Sequence, residues 1–227
     1  MITPQPIDTP TRLEAATLAE DLLLILFQPD SGTIAGESTL FYVLAGAVLA
    51  DLAFGEHVES KVDKSVTAVE HRPPSDEILR SAWDYIAQKP RGVQTILAAI
   101  GPTLRGPLLE RLIKRGDIRE RRRKVLGLFD SGVLEDGGSG RRAELVADVR
   151  SVLVDGTEPT PRVAALAALL SGSGTLPQFD REIPWSSPVI SRAKELEKGN
   201  WGAGAAAEAI ARTLTAIIIA TAILPRA

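Results

Sequence analysis

Cysteine is absent from the 227 residues, which excludes disulfides, thiolate metal sites and cysteine nucleophiles and suits a reducing compartment. Histidine occurs only as His57 and His71, at a helix end and just before Pro73. That spacing is no metal pair, so both read as exposed loop residues. Aromatic residues make up 4% of the chain and none interrupts its basic run, which removes the stacking platform that single-stranded nucleic acid uses. Long apolar runs are missing as well. The two richest, Leu40 to Phe54 and Thr213 to Leu224, fall short of the roughly 20 residues that cross a bilayer core and read as buried helices. No basic segment followed by an apolar stretch opens the chain, so no secretory signal is expected. Neither a phosphate loop ending in Gly-Lys-Ser/Thr nor a Gly-x-Ser-x-Gly elbow is present. Catalysis would fall to carboxylates alone, and Glu20-Asp21 and Glu135-Asp136 read as helix-face or turn charges. The expectation is a binding protein, with no catalytic residue, metal or cofactor.

What is present is an ordinary globular composition, 44% hydrophobic and 24% charged, with a net charge of -3. That length and apolar content can bury one sizeable core, and the acidic total opposes coating of nucleic acid by the whole surface. Residues 1–12, rich in Pro and Thr, read as a flexible tail, and 13–227 as a single helical domain. Helices are expected over Leu13 to Phe27, Leu40 to Phe54 with Ser38 or Thr39 as cap, Glu77 to Ala87, Val93 to Ile100 and Thr103 to Arg115. Four more are expected over Ala143 to Leu153, Pro161 to Leu170, Pro188 to Leu196 and Ala205 to Leu224, the last in a central position. The loose valine alternation from Val58 to Val69, with a turn at Asp63-Lys64, predicts a β-hairpin. Trp83, Trp185 and Trp201 read as core or lid packing, and Asp136 to Arg142 as a flexible internal loop.

The strongest charge feature is Lys114 to Lys124, KRGDIRERRRK, with seven basic residues against two acidic ones. It predicts two short strands, 117–119 and 125–129, around a basic turn from Glu120 to Lys124. Arg119, Arg121, Arg122, Arg123 and Lys124 would meet phosphate oxygens, while Val125, Leu126, Leu128 and Phe129 supply apolar contact with a membrane. A helix, a glycine cap and a basic hairpin also describe a winged-helix nucleic-acid reader, which is the rival reading.

The blocks LAEDLLLILFQPDSGTI, AGAVLADLAFGEHVE, PPSDEIL, LLERLIKRGDI leading into KVLGLFD, and TPRVAALAALL follow one another in this order. Together they resemble the Golgi phosphoprotein three family. The resemblance implies a mainly α fold: amphipathic helices around a central hydrophobic one, with one or two small hairpins. It also implies a peripheral, cytoplasmic-face protein that binds an anionic phospholipid or phosphoinositide head group and serves as an adaptor for a membrane-protein tail, with self-association left open. The family pocket uses a tryptophan, an arginine and a pair of arginines three apart. These positions fall here on Gly36, Ala45, Pro102 and Arg105, so Arg105 alone matches, with Phe41 and Tyr42 as aromatic stand-ins. The expectation narrows to a general anionic surface met by Arg105 and the basic hairpin.

Overall fold

The computed structural model describes residues 16–61, 65–125 and 129–199, with the backbone alone over 122–125 and 129–131. The fold is mainly α, and its small sheets are antiparallel throughout the described residues. Buried apolar side chains from Leu18 to Leu196 form one continuous cluster.

Helix α1, Leu18–Leu26, starts at a capping box: the Glu20 amide donates to Thr17 Oγ1 at 3.2 Å and the Thr17 amide to Glu20 Oε2 at 2.8 Å. All nine of its residues are buried. Helix α2, Leu40–Phe54, is apolar around most of its circumference and lies against α1. This is the central hydrophobic helix that the resemblance implies, with the wholly buried α1 beside it. Thr39 stands at the N-cap of α2, but its hydroxyl donates to the Gly36 carbonyl at 3.2 Å instead of capping the helix. Between these helices, β1 (Phe27–Gln28) and β2 (Thr33–Ile34) form a two-residue clip around the expected break.

The valine hairpin forms as β3 (Val58–Ser60) and β4 (Ser65–Ala68), with Val58 opposite Ala68; its turn lies outside the described residues. A third strand, β5 (Arg91–Gly92), joins it through Val66 and Arg91. Asp76 caps α3, Glu77–Ala87, by accepting from the Ile78 and Leu79 amides at 2.9 and 3.0 Å. Trp83 is half-buried on α3 and its Nε1 donates to the His57 carbonyl at 3.0 Å.

Helix α4, Val93–Ile100, passes through a 3-10 turn, Gly101–Thr103, into α5, Arg105–Arg115. Helix α5 turns one leucine stripe inward, with Leu108 and Leu112 fully covered. Gly116, at φ 83°, ends it in a left-handed conformation that a side chain would oppose. Strands β6 (Ile118–Val125) and β7 (Phe129–Asp136) then pair from Ile118–Asp136 to Val125–Phe129. This corrects the expected basic turn: Glu120 to Lys124 are inside a strand, and 126–128 join the two arms. Ile118 and Leu134 anchor the base of the ribbon in the core, while Arg119, Glu120 and Arg121 are exposed, so a strand here carries charge and a charged run need not be a turn.

Helix α6, Arg141–Leu153, begins two residues early, which leaves only 137–140 of the expected flexible loop. Helix α7, Pro161–Gly172, is capped by Thr160, whose hydroxyl accepts from the Val163 amide at 3.3 Å. Helix α8, Ser187–Glu197, packs on α7. The tail 1–12, the start of the first helix at Leu13, Trp201 and the helix from Ala205 to Leu224 lie outside the described residues.

Candidate anionic-surface site

Helix α5 sets the geometry, because the expected contacts sit at its two ends. Arg105 is its first residue. The Arg105 Nε forms an ion pair with Glu37 Oε1 at 2.9 Å, and both side chains are about half exposed. Glu37 belongs to the Gly36–Thr39 turn ahead of α2, and its carbonyl accepts from the Leu40 amide. The first turn of α5 holds no acidic residue, so Glu37 supplies the carboxylate there.

The other positions singled out by the resemblance can now be placed. A Cβ at Gly36 would stand 2.5 Å from Thr175 Cγ2, so this backbone has no room for the bulky aromatic the family carries there. Ala45 is fully buried within α2 and does not reach solvent. Pro102 is exposed in the turn before α5. Phe41 and Tyr42 are half-buried on the first turn of α2, their ring centroids 4.0 Å apart, and Gly101 packs against the Phe41 carbonyl. Arg105, Glu37, Pro102 and these two rings thus gather where α2 and α5 begin.

The ribbon leaves from the opposite end of α5, ten residues later, which is roughly 15 Å of helix rise. Arg119 is exposed, and Arg121, 74% exposed, reaches Glu135 across the ribbon at 3.4 Å. Arg122, Arg123 and Lys124 occupy strand positions opposite Gly132, Ser131 and Asp130, and Val125 is opposite Phe129. Leu126 and Leu128 lie outside the described residues. The structure therefore gathers the basic run on one strand but places Arg105 apart from it. Within that run, Arg115 turns inward, donating to Glu20 Oε1 at 2.5 Å, and stands 3.6 Å from buried Asp117.

This inward contact belongs to an ionic cluster that sequence reading assigned to the surface. Glu20 and Asp21, expected as helix-face charges, are 2% and 1% exposed. Arg162 clamps Asp21 through Nε at 3.1 Å and Nη2 at 2.6 Å, and Arg141 holds the other carboxylate oxygen. Asp51 of α2 accepts from the Leu18 amide at 2.6 Å and lies 3.6 Å from Arg162. Burial pushes the Asp51 carboxyl up to about 7, with Arg162 and the amide hydrogen bonds only partly opposing it. Arginines from α5, α6 and α7 occupy these carboxylates, so the cluster ties helices together. The legible signal was an acidic pair inside an otherwise wholly apolar helix, since buried charge requires partners.

The remaining features fall elsewhere. Trp185, expected in core or lid packing, is 44% exposed, and its amide donates to Asp180 Oδ1 at 2.6 Å. Beside it a cleft of about 600 Å³ is lined by Gln28, Asp30, Arg142, Gln178, Asp180 and Glu182. Arg142 is committed there, donating to the Phe27 carbonyl at 2.7 Å and to Glu182 at 2.8 Å. His57 is half-buried rather than exposed, its Nδ1 2.7 Å from the Arg72 carbonyl, while His71 is exposed. Among the described residues no three His, Asp or Glu side chains converge to hold a metal ion. No described helix is long and apolar enough to cross a membrane.

The family model described as Golgi phosphoprotein 3 (GPP34) matches residues 18–213. No curated protein matches the chain.

Proposed function

Since the chain belongs to the Golgi phosphoprotein 3 family, we propose that it is a non-catalytic peripheral protein of a cytoplasmic membrane face. It binds anionic phospholipid head groups through its basic ribbon and through Arg105. The observation that carries this reading is β6 itself. A strand with five basic residues, Arg119 to Lys124 interrupted only by Glu120, runs directly into the apolar pair Val125 and Phe129 at the far end of the ribbon. Each basic side chain near an anionic leaflet contributes about 1 kcal/mol, and each buried CH₂ of the apolar end roughly 0.8 kcal/mol. Arginine adds bidentate hydrogen bonds to phosphate oxygens. Bound to the surface in this way, the protein would present its remaining faces to the tail of a membrane protein as an adaptor.

Co-sedimentation with zwitterionic, phosphatidylserine-containing and phosphoinositide-containing vesicles tests the reading. Binding to both anionic kinds and not to the zwitterionic one is expected at low salt. Reversing Arg121, Arg122 and Arg123 to Glu should lower affinity by at least about a hundredfold, from three lost attractions of about 1 kcal/mol each and three added repulsions. Absence of anionic vesicle binding sinks the proposal, and salt-sensitive duplex DNA binding in its place would favour the nucleic-acid alternative.

A further inference from the structure

The Arg105 guanidinium is already engaged by a carboxylate of its own chain. It is an ion pair, Nε to Glu37 Oε1 at 2.9 Å, between side chains 47% and 56% exposed. Glu37 is carried by a turn that is held in place independently of Arg105, through the Thr39 hydroxyl on the Gly36 carbonyl and the Leu40 amide on the Glu37 carbonyl. The Glu37 backbone therefore stays beside the start of α5 whether or not the pair is formed. An exposed pair of this kind is worth about 0–1 kcal/mol, so it can be displaced. A phosphate group presents several acceptor oxygens and takes arginine in a two-point fork.

From this geometry we infer that Glu37 is an affinity-determining residue of the anion site: it competes internally with phosphate for Arg105. The inference rests on the lipid-binding reading for the source of the phosphate, and on the Arg105–Glu37 contact for the competition. Apparent affinity is the intrinsic affinity reduced by the fraction of Arg105 that is free. With a pair worth up to about 1 kcal/mol, removing the Glu37 charge should tighten binding by about two- to sixfold. Loss of a negative charge near an anionic leaflet would tighten binding by a similar factor through the general field alone. The two causes separate on one point: competition requires Arg105, and the field does not.

The experiment compares the full chain with its E37Q, R105Q and E37Q/R105Q variants on phosphatidylserine-containing and phosphoinositide-containing vesicles, with thermal unfolding of each to verify folding. E37Q tightening binding two- to sixfold, with no gain from the same substitution in the R105Q background, supports internal competition. No effect of E37Q, or an equal gain in both backgrounds, overturns it. A titration with inorganic phosphate, followed by the NMR signal of the Arg105 Nε–H, is independent of the membrane. E37Q should reach half-saturation at a two- to sixfold lower phosphate concentration. Equal midpoints, or no response of either protein, overturn the competition, whereas failure of vesicle binding with a positive phosphate result removes only the lipid as the source.

Discussion

At the scale of single residues, Asp51 is the side chain whose charge state matters most to the folded protein. It sits where α1 begins, takes the Leu18 amide, and has its carboxyl raised to about 7 by burial. The folded state therefore holds this proton over a pH range in which the unfolded chain has released it. Stability from this group is fully present below the unfolded value of 3.8 and is lost as pH rises through about 7. The difference is on the order of a few kcal/mol. Asp51→Asn cannot ionise, so its unfolding free energy should vary less with pH than that of the natural chain between about pH 4 and 7, and should exceed it at about pH 8. Urea unfolding at several pH values measures both, and parallel profiles would refute the assignment. The residues around Asp51 also show where sequence reading stopped. A capping box at Thr17 and Glu20 was readable as spacing, but the burial of Glu20 and Asp21 depends on arginines about a hundred residues away, which no local pattern reveals.

The helices were legible as elements because each writes its buried stripe into the sequence, as Leu108 and Leu112 do in α5. Strands β1, β2 and β5 have two residues each, too few to display a period. The ribbon was misread for another reason. Only Ile118 and Leu134 at its base are buried, and β6 from Arg119 to Lys124 is all charged, so no apolar alternation marks that strand. Of the candidate site, the basic run and its separation from Arg105 were legible, since the helix expected over Thr103 to Arg115 lies between them, whereas the pairing of Arg105 with Glu37 from a distant turn was not. The base of the ribbon is also sterically exacting. The Gly137 amide donates to the Asp117 carbonyl at 3.0 Å, and a Cβ at Gly137 would lie 1.8 Å from the Gly116 carbonyl oxygen. Gly137→Ala should therefore force the backbone apart, at a cost of about 2–4 kcal/mol, and accelerate amide exchange along β6 and β7 more than in α1 or α2. Uniform exchange across the molecule would contradict a local role.

Over the whole molecule, two populations of charge should respond to salt in opposite degree. Arg119 and Arg121 of β6 are exposed to solvent, where raising ionic strength from about 0.1 to 1 M shortens the screening length from about 10 to 3 Å. Vesicle binding should fall at least tenfold over that range, while the thermal midpoint changes by only about a few degrees, because the cluster around Glu20 and Asp21 is shielded from ions. A midpoint that collapses together with binding would mean that the buried cluster is open to solvent. The same cluster also bears on the order in which the chain can be assembled. Its carboxylates are synthesised early, whereas their partners arrive 95, 120 and 141 positions later. Contacts of such long separation form late, after much chain entropy has been lost. A growing chain that ends before Arg162 holds α1, all nine of whose residues are buried in the fold, with Asp21 incompletely paired. Helix α1 is thus completed by the C-terminal half, and shortened products of this chain would leave its buried carboxylates short of partners.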